Sequence, residues 1–347
     1  MIRTFSLSII ALGLIATACS APSAAEKEEK QVAKAPAPSS GAEKPAPTEP
    51  EASAEASQPQ QGPVVPPVVR LLKSGSNPKQ ELRFDVAPDT KATLVTDLLI
   101  DAKLEAETSA QEQQLPAVRV IGSLAALGRA ENGDLAFKYT VNEVKILNPK
   151  SFPGEAIGEL QKELNRMNGF VARVTQSPRG IYLGWDYQLP QGMSPRSLRA
   201  LQTLIEVSRR LSVPLPEEEV GVGAVWEAAR VQAEQGISVE EVVTYKLLSL
   251  KGSEAKLQVT LKGKLDPGSS QLSAQGQAKL EGINTTGKGD MTIDLKAIAP
   301  QTTFRISSTA KYENEAGEKA QGKTDVLFKF SDNADQPSNI LKLSKSR

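Results

Sequence analysis

The sequence predicts a mainly β fold of the α+β class. We expect a large curled antiparallel sheet, a half-barrel or open barrel, with two helices packed on its concave face. From Glu81 onward, apolar residues recur at every second position in segments that turn residues separate. Two segments in the middle of the chain instead carry apolar residues at helical spacing. No alternation of strand and helix runs along the chain, so a parallel sheet is not expected.

The N-terminus has the pattern of a bacterial lipoprotein signal. Arg3 precedes an apolar segment, residues 5–15, that is too short to span a bilayer as a stable helix. Small residues follow at Thr17 and Ala18, and the next residue, Cys19, is the only cysteine among 347 residues. This thiol resembles the acceptor of a diacylglycerol, so we expect cleavage before Cys19 and a lipid anchor on it. The alternative is a thiol buried in a core, but no strand or helix pattern surrounds it.

Three regions follow from this signal: a signal peptide (1–18), a lipidated N-terminus with a linker (19–66) and a β-rich globular domain (67–347). The linker consists mainly of Ala, Pro, Glu, Lys, Ser and Gln. Such a segment buries too little surface to offset the entropy lost on ordering, so we expect a disordered, extended spacer. Ser20 after the cysteine favours passage to the outer membrane. We therefore expect a lipid-anchored envelope protein that faces the periplasm or the cell surface.

Composition narrows the classes of function. Lys plus Arg and Asp plus Glu each total 41, and histidine is absent. The neutral balance argues against a nucleic-acid partner, which would require a basic face. Without histidine, and with Cys19 lipidated, imidazole-based catalysis, imidazole-bound zinc and thiolate chemistry are excluded. We expect no enzyme activity and no cofactor, and we interpret the acidic run Glu217–Glu219 as a solvated loop.

The first strands follow the period of two. Residues 91–104 predict a long strand with an apolar face and a wet face, and Asp97 and Asp101 on the wet face suit cross-strand ion pairs. Residues 118–124 and 135–141 predict two more strands. The phase of the apolar pattern then slips at Val144 and Ile146, as a β-bulge would cause.

The helical segments come next. Residues 155–168 carry an apolar stripe between Pro153-Gly154 and Asn168-Gly169, which predicts a helix with two strands, 170–174 and 181–189, after it. The second helix, residues 195–211, opens with Ser194 as its cap. Its opposite side is basic, and this face suits either anionic lipid headgroups or plain solvent; the residues are Arg196, Arg199 and Arg210.

The second half predicts a meander. The glycines of residues 220–226 lack the lysine of a phosphate loop, so we expect a tight turn that leads into a strand. Turn residues, including Gly287–Asp290, separate the alternating runs that follow. The six predicted strands are 241–250, 257–265, 272–282, 291–298, 304–312 and 320–330.

Small residues on the inner face indicate a candidate site. They are Ala274, Gly276, Ala278, Ser308 and Ala310. Their size leaves room under the helices, either for an apolar cavity or for close helix packing. Trp185 stands beside Asp186 and Tyr187, and we interpret it as facing a ligand, in a saccharide site for example, or as a core anchor.

The order of these parts resembles that of an uncharacterised bacterial lipoprotein domain family, a domain of unknown function. The likeness lies in the long strands, the two central helices, residues 220–226 and the tyrosine at Tyr245. The architecture is more distantly similar to that of half-barrel, helix-lidded envelope proteins that carry lipid or lipoprotein acyl chains. This resemblance implies an apolar groove of the sheet as the working surface.

Three functional hypotheses follow. The first is a membrane-anchored lipoprotein whose β-rich domain binds an apolar ligand, a lipid or an acyl chain, without catalysis. The second is an envelope scaffold that holds a partner protein by a sheet face or edge. The third is a histidine-free hydrolase that uses carboxylates, Ser with Lys, or a carboxylate-bound metal.

Overall fold

The computed structural model describes residues 65–106, 109–210, 212–234, 237–267, 278–314 and 317–345. Strands account for 57% of the described residues and helices for 12%, which confirms the prediction of a mainly β fold. The strands are β1 (Val68–Lys73), β2 (Lys91–Ala106), β3 (Ser109–Gln114), β4 (Val118–Arg129), β5 (Leu135–Ile146), β6 (Val171–Gln176), β7 (Tyr182–Gln188), β8 (Val225–Glu234), β9 (Ile237–Lys251), β10 (Glu254–Leu265), β11 (Ala278–Asp294), β12 (Gln301–Asn314) and β13 (Lys319–Ser331). The helices are α1 (Gly154–Asn165), α2 (Pro195–Arg210) and α3 (Ile340–Lys345), and a short 3-10 helix spans Pro149–Ser151.

Within the described residues, all thirteen strands belong to one antiparallel sheet that does not close. Strands β8 to β13 form a meander in chain order, and β13 pairs with β2, which is followed across the sheet by β4, β5, β6 and β7. Strand β1 pairs with β8 at the other end, and β3 pairs with β2 outside this path. Two blocks of neighbouring strands are therefore joined through a pairing of the first long strand with the last.

The prediction of a wet face on β2 was wrong at the centre of the strand. Asp97 is only 2% exposed, and Leu99 on the same face is also buried. The C-terminal segment covers this face, because Ile340 of α3 packs with Leu99 in an apolar cluster and Ser338 donates a hydrogen bond to Asp97. The predicted ion pair does form, and Arg119 on β4 is the partner of Asp97, with Nε 2.6 Å from Oδ1.

The prediction of a turn at Gly287–Asp290 was also wrong. Strand β11 continues through these residues and pairs with β10 on one side and β12 on the other. The glycines instead make room for the ring of Phe304, since a Cβ on Gly287 or on Gly289 would lie 2.7 Å from a ring carbon. One strand thus replaces the two predicted at 272–282 and 291–298, and residues 272–277 lie outside the described part.

The bulge predicted in β5 is confirmed. Opposite β4, Glu143 pairs with Ile121 and Val141 pairs with Gly122, so that Asn142 is the additional residue. Such a residue bends the strand and restores the buried face on the far side of the slip.

Both predicted helices are present and pack on β4, β5 and β6. Leu160 and Leu164 of α1 and Leu201 and Leu204 of α2 share one apolar cluster with residues of these strands. Gly169, just beyond α1, has a φ of +84°, which suits the glycine predicted as the stop signal. Leu211 and the side chains of the three arginines on α2 lie outside the described part, so the basic face stays a prediction.

The largest core cluster lies on the block β8 to β13. Trp226 is fully buried, stacks on Tyr245 with ring centroids 5.5 Å apart, and donates from Nε1 to the carbonyl oxygen of Pro214 at 2.8 Å. Leu82 and Leu215, from the segments before β2 and after α2, pack in the same cluster. The segment before β2 and the segment after α2 therefore close this core.

Candidate functional site

An apolar cavity of about 210 Å³ lies beside α2. Most of its walls come from strands β5 to β7, helix α2, the segment just after α2 and the connection from β11 to β12, and further wall residues come from β2, β4, β11, β13 and the segment before β2. Leu204 and Ile205 are the contributions of α2, and residues 297–300 are those of the connection. Residues that are distant in the sequence thus meet around one space.

The strand register shows which side chains of the sheet share the face that lines the cavity. Phe137 on β5 is opposite Val174 on β6, and Val174 is opposite Trp185 on β7. Directly opposed residues of paired strands project to the same face, so these three side chains form one row. All three line the cavity. The next row begins with Tyr139, opposite Ala172, and both of these line the cavity as well.

Tyr139 occupies its position because β4 carries a glycine beneath it. A Cβ on Gly122 would lie 2.3 Å from a carbon of the Tyr139 ring, so the ring rests against the backbone of β4. Burial raises the pKa of the Tyr139 hydroxyl well above its ordinary value. Tyr139 is therefore a neutral group in the wall at physiological pH.

Helix α2 is fixed to α1 at its N-terminus. The backbone N–H of Ser197 donates to Ser194 Oγ at 3.1 Å, which is the predicted cap. Ser194 and Ser197 also donate from their hydroxyls to Glu163 Oε2 of α1, at 2.5 and 2.8 Å. These contacts determine where α2 begins and hold it beside α1.

Asp294 is the charged side chain in the described wall, and no lysine or arginine is among the wall residues there. The backbone N–H of Lys296 donates to Asp294 Oδ1 at 2.9 Å. This bond and one from the Ser253 side chain lower the pKa of Asp294, and the nearby charge of Lys296 contributes less. The carboxylate is therefore ionised at neutral pH and already has hydrogen-bond donors in its own connection and in the turn between β9 and β10.

Buried ion pairs among the described residues connect parts of the fold away from the cavity. Arg119, beside Asp97, donates to the carbonyl oxygen of Gln336 at 2.9 Å and so fastens the C-terminal segment to the sheet. Arg230 and Glu241 face each other on β8 and β9 at 2.9 Å. Neither pair lines the cavity.

The described residues contain no group of three or more Asp, Glu, His or Cys placed to hold a metal ion. The acidic run Glu217–Glu219 is exposed in a loop, as expected, and Glu217 pairs with Arg179. In the part of the chain that the structure covers, no helix has the length and apolarity needed to cross a membrane.

The residues predicted to face a ligand are placed differently from one another. Trp185 lines the cavity and stacks on Tyr187 with ring centroids 4.7 Å apart. Ser308 and Ala310 lie elsewhere on β12: the Ser308 hydroxyl is 2.9 Å from that of Thr285, and Ala310 is buried in a cluster with Tyr312. The remaining predicted residues are not described: Cys19, Ala274, Gly276 and the side chain of Ala278.

Most residues of the cavity wall were not predicted from the sequence to line a cavity. Tyr139 and Phe137 were assigned to a strand, and Leu204 and Ile205 to a helix stripe, but none was assigned to a cavity. The unusual signal was Gly122, a glycine at an inward position of a regular strand, which is typical of close approach by another group.

The fold and this cavity define the class: a mainly β protein with an open antiparallel sheet and an apolar cavity beside a helix. No protein-family model and no curated protein matches the chain. Functional assignment therefore depends on the geometry of the cavity and on the sequence pattern.

Proposed function

We propose that the protein is a membrane-anchored bacterial lipoprotein whose β-rich domain binds an apolar ligand, a lipid or an acyl chain, without catalysis. The apolar cavity beside α2 is the observation that carries this proposal. In this view the sheet curls so that α1 and α2 lie on its concave face, and Cys19 carries the lipid anchor. The anchor would hold the domain at the outer membrane, where its ligands are abundant.

The size and lining of the cavity support an apolar ligand. An apolar cavity of about 150 Å³ in another protein stays dry and binds benzene. The cavity here is larger, at about 210 Å³, and most of its wall is aliphatic or aromatic. It is smaller than the roughly 300–1,000 Å³ of pockets for drug-sized molecules. A single slender chain, such as part of an acyl group, matches these dimensions.

The proposal is tested by native mass spectrometry of the full-length protein taken from bacterial membranes. We expect a non-covalent lipid adduct on the wild-type protein. Ala297→Phe places a ring in the cavity wall, whereas Ala130→Phe adds the same ring at an exposed position in the turn between β4 and β5. Ala297→Phe should reduce the adduct about tenfold, because the ring displaces ligand atoms and about 1.4 kcal/mol of lost affinity suffices. Ala130→Phe should retain it.

An envelope scaffold is the second candidate, and the edge strand β1 is the observation that favours it. Val68 and Leu72 are 72% and 47% exposed, and among the described strands only β8 pairs with β1. An exposed apolar edge of this kind suits the addition of a strand from a partner protein. Wild-type protein without any lipid adduct in the experiment above would contradict the ligand proposal and favour the scaffold.

A further inference from the structure

Three cations lie side by side on the face of the meander opposite the core. Exposed and buried residues alternate along β10, and Lys262 is exposed on the face opposite Leu261, which belongs to the largest core cluster. Lys288 of β11 is opposite Thr260, two residues before Lys262, so the two lysines are diagonal neighbours on this face. Lys288 is also directly opposite Arg305 of β12. These three residues, Lys262, Lys288 and Arg305, form a cationic patch.

The cationic patch has no anionic partner in the described part of the chain. Lys262 and Lys288 form no ion pair there, neither with Asp290 on the same face nor with another carboxylate. The next lysine of β10, Lys264, by contrast pairs with Glu240 at 2.8 Å. Like charges directly opposite each other in a sheet are destabilising. The fold therefore keeps a repulsion that a bound anion would relieve.

Helix α3 adds further cations beside the patch. Arg305 donates from a guanidinium nitrogen to the carbonyl oxygen of Leu343 at 2.9 Å, which places the end of α3 next to β12. Lys342 and Lys345 lie in the last turn of this helix and are exposed. Neighbouring strands are about 4.8 Å apart, so the cations on β10 to β12 alone extend over about 10 Å. A single small anion cannot contact all of them, whereas a surface with many anions can.

The exposed residues around the patch suit phosphate groups better than nucleic-acid bases. Thr260 and Thr286 are exposed beside the two lysines, and their hydroxyls can donate to phosphate oxygens. The exposed positions of β10 carry no aromatic ring on which a base could stack. The chain as a whole is also not basic, as most nucleic-acid-binding domains are.

We propose that the cationic patch docks the domain on an anionic membrane surface, where it contacts the phosphate groups of lipid headgroups. Clusters of about four to eight lysines and arginines recognise anionic lipids in this way. The three residues of the patch and the two lysines of α3 together reach that number. Docking of this kind goes beyond ligand binding in the cavity and does not depend on it. A lipid anchor on Cys19 would keep the patch close to such a surface.

The experiment measures sedimentation of the full chain with lipid vesicles. Cys19→Ala removes the lipid acceptor, so that binding does not come from an anchor. We expect binding to vesicles of phosphatidylglycerol and phosphatidylcholine in equal parts, and much weaker binding to phosphatidylcholine alone. At about 1 M NaCl, where the Debye length falls to about 3 Å, the two kinds of vesicle should bind alike. Inorganic phosphate at equal ionic strength should compete no better than chloride, because the patch requires an array of anions.

Two pairs of substitutions in this Cys19→Ala chain identify the surface. Lys262→Gln with Lys288→Gln should weaken binding to the anionic vesicles about thirtyfold, since each lysine near such a surface contributes about fivefold. Lys91→Gln with Lys150→Gln removes the same charge at exposed positions away from β9 to β12, and should change binding less than about threefold. Residues 1–66 are the same in all variants, so their contribution cancels.

Unfolding in urea separates docking from folding. Lys262 and Lys288 are exposed, and Lys288→Gln removes the repulsion with Arg305, so their double variant should be at least as stable as the parent chain. Equal losses of binding in the two pairs of substitutions would overturn the proposal, as would equal binding to both kinds of vesicle or displacement by inorganic phosphate. Tighter binding of a single-stranded DNA oligonucleotide than of the anionic vesicles would also overturn it. None of these outcomes affects the proposed ligand in the cavity, which the lipid adduct tests.

Discussion

Gly289 illustrates how a single residue can mislead a prediction from sequence. A glycine-rich stretch usually indicates a turn, but here the absence of a side chain lets Phe304 lie across β11. A Cβ at this position would also meet the carbonyl oxygen of Thr303 at 2.3 Å. The glycine is required by a neighbouring strand, and the period-two pattern of β11 alone contains no information about that neighbour.

We predict that Gly289→Ala destabilises the protein by about 1–3 kcal/mol, because backbone and ring must both shift to admit the methyl group. Gly282 on the same strand is the matched control, since nothing lies within 4 Å of a Cβ there. Gly282→Ala should be neutral or slightly stabilising, through the lower entropy of its unfolded chain. Urea unfolding of both variants measures the difference, and equal stabilities would contradict this account of Gly289.

For Asp97, the ion pair could be predicted from the sequence but the burial could not. The alternation along β2 assigned it to a face that suits ion pairs, and Arg119 is its partner. Its burial could not be predicted, because the covering segment, including Ser338, is far away in sequence. Trp185 is similar: its strand was predicted, but the cavity beside it depends on α2 and on residues 297–300.

The elements themselves were largely predictable. Period two identified most long strands, and helical spacing identified α1 and α2. Ser194 marked the start of α2 correctly, but α1 ends at Asn165, three residues before the predicted end at 168. The elements that were missed are short: β1, β3 and α3 have six residues each. A segment of that length holds too few repeats of a pattern to stand out, and these elements form because the long strands offer edges and faces to them.

The N-cap of helix α2, Ser194, should contribute measurably to the stability of the protein. Ser194→Ala removes the oxygen that accepts from the Ser197 N–H, together with one donor to Glu163. We expect a loss of about 1 kcal/mol in the free energy of unfolding, the usual cost of an N-cap. Ser194→Asn should retain most of the stability, because its side chain can accept the same bond. Thermal unfolding of the three proteins provides the measurement, and an Asn variant as unstable as the Ala variant would exclude capping as the cause.

The period-two pattern predicted the face of β12 correctly but not the position of the cavity. It placed Ser308 and Ala310 on the same face of β12 as Ile306, and alternate burial along the strand agrees. The pattern does not tell which part of a face lies beside a helix. The cavity adjoins β5 to β7, whereas the small residues of β12 serve packing and a hydroxyl contact.

The free energy of unfolding of the whole protein should be constant near neutral pH and should fall in alkali. The chain has no histidine, so no side chain of ordinary pKa titrates between about pH 5 and 8. Burial raises the pKa of Tyr312 to about 12 from an ordinary value of 10.0, and raises those of Tyr139 and Tyr245 further. The unfolded chain therefore releases these protons first, and stability is lost as the pH rises from 10 through the pKa values of the folded state.

Tyr312→Phe isolates one of these groups. Two pH units correspond to about 2–3 kcal/mol, so the wild-type protein should lose about that much more stability than the variant between pH 9 and pH 12. Urea unfolding of both proteins at the two pH values is the measurement. Parallel losses in the two proteins would show that the Tyr312 hydroxyl ionises as easily in the folded protein as in the unfolded chain.

The pairing of β2 with β13 also has a consequence for how the chain reaches its structure. Residue 95 pairs with residue 331, and β1 likewise pairs with β8 across the intervening strands and helices. Contacts between such distant residues make folding slow, because a long loop must close before they form. In the proposed lipoprotein, the chain would be threaded through a membrane from its N-terminus, and β2 would emerge long before its partner. We therefore expect the sheet to assemble only after export of the domain is almost complete, with the earlier strands exposed to chaperones and proteases until then.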